Sequence, residues 1–185
     1  MSSASKARLA SLTALNAALY ASLSLATAYL PTPFIIQFRP AVVVPAVFAA
    51  LYGALVGGLG AAVGTFIASI MRYGTPLLTL FSGTPGNFVC FYIVGFLTRK
   101  FQARNRWIVG YLAGCVLGLL AGFTVIAVGL YFLATVVGLE MLAKWTSLPF
   151  ILTALVFGIA SELPFMVLLG IPIVEAVRRA GVTRV

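Results

Sequence analysis

The acidic and basic side chains limit the chemistry that this chain can do. It contains no histidine, and its only acids are Glu140, Glu162 and Glu175, which lie far apart in the sequence. A Ser–His–Asp or Cys–His site and a histidine metal site are therefore excluded, and paired carboxylates for acid–base catalysis are not expected. No lysine follows the glycine of a phosphate-binding loop. We therefore expect no enzyme activity, no metal, no cofactor and no ATP hydrolysis by the chain itself; a membrane enzyme is the least favoured alternative.

The two cysteines add no further chemistry. Cys90 and Cys115 both lie inside apolar runs, and neither belongs to a CxxC pair. A buried cysteine behaves as a small hydrophobic residue. The sequence therefore predicts two inert thiols rather than a disulfide or a redox centre.

A few polar side chains stand inside apolar segments, and these are the candidate binding residues. Glu162 lies near the middle of a long apolar segment, and Arg39 lies between Phe38 and Pro40 near the start of another. An isolated charge at membrane depth costs several kcal/mol, so Glu162 should face the interior with a partner or a proton. Two interpretations stay open for Glu162: a structural role, paired with an arginine or protonated, and a contact with a substrate.

The segment Ser82-Gly83-Thr84-Pro85-Gly86-Asn87 predicts a helix that is broken or starts late. Such a start directs free amide hydrogens at whatever lies in front of it, which suits an anion or a carbonyl. Arg39 and Arg72 favour the same anionic or carbonyl-rich class, such as a carboxylated vitamin or a flavin. The residues expected to bind a substrate on these grounds are Arg39, Arg72, Thr84, Asn87 and Glu162.

Composition places these residues in a protein surrounded by lipid. Apolar residues make up 62% of the 185 residues and charged residues only 8%, and the mean hydropathy is +1.14, whereas soluble domains are about 25% charged. We expect a single all-α membrane domain over residues 1–185. The charges divide it into six predicted spans, at about residues 9–30, 34–52, 54–71, 83–98, 107–128 and 148–174.

Six spans place both termini on the same side of the membrane, and the charges favour the cytoplasm. The cations predicted to lie inside are Lys6, Arg8, Arg99, Lys100, Arg104, Arg106, Arg178, Arg179 and Arg184, against Arg39, Arg72 and Lys144 outside. This asymmetry follows the positive-inside rule. We therefore attribute the net charge of +9 to topology and to contact with anionic lipid, not to nucleic acid. The expected location is a prokaryotic plasma membrane, crossed several times.

The N-terminal segment has a second interpretation. Two basic residues, an apolar run and Ala26-Thr27-Ala28 could form a secretory signal with its cleavage site. The run from Leu9 to Leu30 would cover about 33 Å as a helix, which is longer than a usual signal core. Its length favours a retained first span, and intact-mass measurement would reveal cleavage.

Small residues recur every four positions along three predicted spans. Such faces allow close approach of helix backbones in lipid. In the third and fifth spans the glycines are expected to pack inside the protein. In the first span a second pair, Ala17 and Ala21, leaves the register open, but the main face is expected to contact another protein through Ala10, Ala14, Ala18 and Ser22.

Several blocks of the chain resemble the substrate-binding S components of energy-coupling-factor (ECF) vitamin transporters. They are Gln37-Phe38-Arg39-Pro40, residues 48–58, Gly64-Thr65-Phe66-Ile67, Gly86-Asn87-Phe88 and residues 95–100. The small-residue first span is also similar to the alanine-xxx-alanine contact motif of that family. The chain departs from the family at Gly53, which is followed by Ala54 rather than by proline.

The resemblance implies a binding subunit of an ABC importer. It would capture a vitamin or a related small organic micronutrient near the outer surface, with Gln37 added to the binding residues. It would deliver the nutrient through a transmembrane coupling protein bound to two ATPases. The alternative from a different class is a structural membrane scaffold of the rod-shape-determining type, with no small ligand.

Overall fold

The computed structural model describes residues 3–27 and 39–181, and every regular element in these ranges is helical. The all-α prediction is therefore confirmed for this part of the chain. The α-helices are α1 (Ser3–Thr27), α2 (Val43–Tyr52), α3 (Ala54–Tyr73), α4 (Leu77–Phe81), α5 (Gly83–Gln102), α6 (Trp107–Thr135), α7 (Leu148–Leu168) and α8 (Gly170–Arg179). Two 3-10 turns, Pro40–Val42 and Glu140–Thr146, precede α2 and α7.

Four helical segments are long and apolar enough to cross a membrane. They are Ala4–Thr27, Ala54–Tyr73, Trp107–Thr135 and Leu148–Arg179, and they match the first, third, fifth and sixth predicted spans. The second predicted span forms only a shorter apolar helix, Pro40–Tyr52. The fourth forms α5, whose 20 residues reach about 30 Å but include a polar start and a basic end.

Several helix boundaries differ from the sequence prediction. The largest error is in α6, which continues to Thr135 instead of ending near Val128. It can do so because Gly129 has no side chain: a Cβ there would lie 1.8 Å from the carbonyl oxygen of Phe81. The chain turns away only at Gly138, where φ is +74°.

The remaining differences lie at the ends of the chain and in the connections. α1 starts at Ser3, one to two turns before the predicted start, and its predicted end at residues 28–30 lies outside the described residues. Residues 34–38 of the second predicted span also lie outside them. The sixth predicted span is two helices, because α7 ends at Leu168 and α8 then continues to Arg179.

Helix α5 occupies the centre of the bundle, between α3 and α6. The glycine face of α6 makes this packing possible. A Cβ on Gly114 would lie 2.8 Å from the Cα of Val94, and one on Gly118 would lie 2.6 Å from the carbonyl oxygen of Cys90. The α6 glycines therefore pack inside the protein, as the sequence predicted.

The connection between α2 and α3 is a tight turn. Gly53 has a φ of +99°, which only glycine adopts readily. The Arg99 Nη2 donates a hydrogen bond of 2.7 Å to the carbonyl oxygen of Tyr52. A cation near the last carbonyls of a helix is stabilising, so Arg99 ties the end of α2 to α5.

A second arginine ties the end of α8 to the same region. The Arg178 guanidinium lies 4.3 Å from the centre of the Trp107 ring, and its Nη2 donates a 3.0 Å hydrogen bond to Gln102 Oε1.

Helix α1 runs parallel to α3, as two contacts show: Asn16 packs on Gly60, and Tyr20 packs on Gly64 one turn later. One end of the bundle therefore holds the α1 start, the α2–α3 turn, the α5–α6 turn and the α8 end; we name it the basic end.

We expect Gly114→Leu to destabilise the protein. Filling a space bounded by the α5 backbone typically costs about 1–3 kcal/mol, because a side chain there cannot avoid Val94. The unfolding temperature in detergent, followed by size-exclusion chromatography after heating, should fall by several degrees. Val116→Leu, at an exposed position of the same helix, is the control and should change little; equal effects would contradict the packing.

Candidate functional site

A buried ion pair joins the segment before α2 to the middle of α7. The Arg39 Nε and Nη2 donate hydrogen bonds of 3.0 Å and 2.7 Å to the same oxygen of Glu162, Oε1. The exposed fraction is 8% for Arg39 and 2% for Glu162. Pro40 begins the turn that follows Arg39 and has a fixed φ, so the backbone beside the arginine is held in place.

The pair answers one question that the sequence left open. Glu162 was expected to have an arginine partner or a proton, and the structure provides the partner, Arg39. A charge-assisted pair of this kind satisfies both groups away from water. Removing one member would leave the other buried and unpaired, which typically costs about 3–5 kcal/mol.

Asn87 lies beside this pair and links α1 to α5. The Tyr20 hydroxyl donates a 3.3 Å hydrogen bond to Asn87 Oδ1, and Asn87 Nδ2 donates a 2.7 Å bond to the carbonyl oxygen of Gly83. Asn87, Arg39 and Glu162 border one small space of about 10 Å³. The amide therefore links the first turn of α5 to α1 and lines the space beside the ion pair.

Sequence reasoning missed Tyr20. The pattern that could have identified it is a spacing of three to four residues along α1. This spacing places Asn16, Ala17, Tyr20 and Ser24 on one face of the helix. All four are buried. An aromatic residue on an otherwise small and polar face marks the side of α1 that faces the protein interior.

A larger cavity of about 70 Å³ lies on the other side of Arg39. Most of its accessible wall is apolar, including the residues of α6, while side chains with hydroxyl groups come from the second half of α3 and from the end of α4. The polar lining residues are Arg39, Thr65, Ser69, Tyr73, Thr79 and Ser82, with Gly83 at the start of α5. The volume exceeds the roughly 10–15 Å³ that one water molecule needs, so the cavity can hold a small polar group.

Thr65 belongs to this lining. Its side chain is buried, with 6% exposed; Oγ1 has no partner at normal hydrogen-bond geometry, and the Tyr20 phenol lies close enough to form a weak hydrogen bond with it. Buried hydroxyls are normally hydrogen-bonded. Oγ1 itself has almost no accessible surface, so it faces the protein, and a contact with a molecule in the cavity would require the Thr65 side chain to rotate.

The remaining predicted binding residues are dispersed. Thr84 does not line the cavity itself, but its hydroxyl lies 3.0 Å from that of Thr79, which does. Arg72 is exposed, with its guanidinium 5.3 Å from the centre of the Tyr73 ring, and it is not among the described residues that line the cavity. Gln37 lies outside the described residues.

The small-residue face of α1 is exposed. Ala17 and Ala21 are buried, with 3% and 5% exposed, and the Ala17 carbonyl packs at Gly64 of α3. These two alanines therefore belong to the interior. The four residues predicted to contact a partner are all exposed: Ala10, Ala14, Ala18 and Ser22.

Comparisons with protein-family models, with curated proteins and with solved structures found no match to this chain. What the site can do therefore follows from its own residues. Cys90 and Cys115 are buried and free, and within the described ranges no three acidic or cysteine side chains come together. The groups that border the cavity, a guanidinium and several hydroxyls, are suited to holding a molecule by hydrogen bonds.

We expect the Arg39–Glu162 pair to behave as a coupled unit. Arg39→Leu and Glu162→Leu should each lower the free energy of unfolding by about 3–5 kcal/mol, since each leaves a buried charge alone. The double variant should lose much less than the sum of the two, because no charge is left unpaired. Unfolding by dodecyl sulfate, followed by circular dichroism, measures these losses.

Glu175→Leu is the matched control, because it removes the carboxylate of an exposed pair with Arg179. Exposed pairs contribute about 0–1 kcal/mol. Additive losses in the double variant would show that Arg39 and Glu162 do not stabilise each other.

Proposed function

We propose that this chain is the substrate-binding subunit of a nutrient importer, similar to the S components of ECF transporters. The observation that carries the proposal is the cavity beside the Arg39–Glu162 pair, whose mostly apolar wall also carries the guanidinium and several hydroxyl-bearing side chains. Buried polar groups in an apolar bundle are costly. A cavity lined by them is better explained by a ligand than by packing alone.

We further propose that the chain crosses a prokaryotic plasma membrane six times. Besides the four long apolar segments, the other two crossings would be α5 and the segment that ends with α2. Helix α5 packs between α3 and α6, so it lies at the same depth as two apolar helices. The basic end would face the cytoplasm, with both termini, and the cavity would open toward the outer side.

The energy for import would come from other proteins. The proposed partners are a transmembrane coupling protein and two ATPase subunits, in keeping with the absence of a phosphate-loop lysine from the sequence. The exposed face of α1 supports a helix-to-helix contact with the coupling protein. Small residues allow the close backbone approach on which helix pairing in lipid depends.

A membrane scaffold without a small ligand is the second candidate. Two observations favour it: the cavity of about 70 Å³ is smaller than the roughly 300–1,000 Å³ of most ligand pockets, and Arg39 already has a partner in Glu162. A scaffold would use the α1 face for assembly and keep the ion pair for stability.

Ligand binding and copurification separate the two candidates. Native mass spectrometry of the detergent-purified protein, with calorimetry against a panel of vitamins, should find a ligand that binds at micromolar concentration. Purification from native membranes should bring down a coupling protein and ATPases. Absence of any ligand, together with partners that shape the cell, would support the scaffold.

We expect Ala14→Leu to uncouple transport without preventing ligand binding. The substitution adds bulk to the exposed face of α1 and should release the coupling protein, while the bundle stays intact. Nutrient uptake by cells and ligand affinity of the purified variant are the two measurements. Loss of both would indicate misfolding and count against the proposed contact.

Two other substitutions in α1 provide controls. Leu23→Phe adds bulk at an exposed position on the far side of α1 from Ala14 and should leave uptake unchanged. Ala17→Leu adds bulk at a buried position against α3 and should lose both uptake and binding.

A further inference from the structure

The charges around the cavity cancel. Arg39 lines both the larger cavity and the small space that Glu162 borders, and Glu162 accepts both of the guanidinium hydrogen bonds described above. No other Asp, Glu, Lys or Arg is among the described lining residues of the two spaces. Residues 28–38, which precede Arg39 in the chain, contain no charged side chain in the sequence. That segment therefore cannot add a charge to the site.

We propose that the cavity binds an uncharged polar group, such as a carboxamide, a hydroxyl or a ring carbonyl, and discriminates against a carboxylate. Glu162 sets this preference as a positioning residue, because it neutralises and orients Arg39. The inference rests on the proposed function and narrows its ligand class. It differs from the expectation drawn from Arg39 in the sequence, where the arginine lacked a known partner and favoured an anion.

The cost of a third charge explains the preference. A carboxylate in the cavity would share one guanidinium with Glu162, or would displace Glu162 and leave it buried without a partner. Either arrangement places an uncompensated negative charge in an environment where unpaired charges are expensive. An uncharged group avoids this cost, and rotation of the Thr65 side chain would let its hydroxyl, which both donates and accepts, bond to that group.

The size of the cavity limits what it recognises. At about 70 Å³ it is several-fold smaller than pockets that enclose a whole drug-sized ligand, about 300–1,000 Å³. It therefore fits a head group of a few non-hydrogen atoms. Small model compounds of that size, acetamide and acetate, test the charge preference without knowledge of the nutrient.

The experiment measures binding of acetamide and of sodium acetate to the wild-type protein and to Glu162→Gln. Calorimetry and the shift of the unfolding temperature are recorded in detergent at pH 7 and constant ionic strength. The wild type should bind acetamide at least about tenfold more tightly than acetate, the ratio that corresponds to 1.4 kcal/mol. In Glu162→Gln the guanidinium loses its counter-charge, so acetate should bind as tightly as acetamide or more tightly.

Control variants separate charge at the cavity from charge in general. Glu175→Gln removes a carboxylate from the exposed pair on α8 and should keep the wild-type preference. If Glu162→Gln fails to fold, Thr65→Val still tests the site: it should lose acetamide binding. Thr124→Val, at an exposed hydroxyl that bonds only within its own helix turn, should retain it.

Different experimental results would count against this inference and against the proposed function. Acetate binding to the wild type as tightly as acetamide would overturn the inference and leave the importer proposal standing. Binding of neither compound to the wild type would also overturn it, because the cavity would then not accept a polar head group. Failure to copurify with a coupling protein, or to bind any vitamin, would instead count against the proposed function.

Discussion

The Arg39–Glu162 ion pair is the interaction on which the arrangement of the site depends. It connects residues 123 positions apart and holds α7, which packs at the edge of the bundle, to the segment that leads into α2. Because both groups are buried, neither can separate without leaving a charge unpaired. The pair therefore keeps α7 against the segment that leads into α2 and places the guanidinium at the wall of the cavity. The same interaction both stabilises the bundle and removes the net charge from the site.

Close backbone packing decides where polar groups can be accommodated. The α6 glycines let α5 approach until backbone atoms are in contact, so little space is left along most of their length. At the start of α5 the packing is different, because α4 and the end of α3 meet there at a break near Ser82. Hydroxyl groups line the space that results. In lipid, irregular backbone of this kind is tolerated where it borders a cavity or is covered by protein.

Much of this architecture could be anticipated from residue types. The need of Glu162 for a partner, the tight turn at Gly53 and the internal packing of the α6 glycines follow from desolvation cost, from backbone freedom and from side-chain size, which are local properties. The end of α6 could not be anticipated, because the absence of a side chain at Gly129 matters only when Phe81 lies against it. For the same reason the sequence could not show that Thr65 lines the cavity. A threonine in an apolar helix becomes informative only when the fold places it at the wall of a cavity beside a charged pair.

The sequence by itself determined that the chain is helical, rich in apolar residues and poor in catalytic groups, because composition and spacing act through short-range preferences. Tertiary structure decided which arginine meets Glu162, which alanines of α1 face inward and which stay exposed, and that Arg72 lies outside the cavity. These outcomes depend on contacts between residues distant in the chain. The partner of a charged group decides what that group can bind. Arg39 alone would attract an anion, whereas Arg39 paired with Glu162 adds no net charge to the cavity.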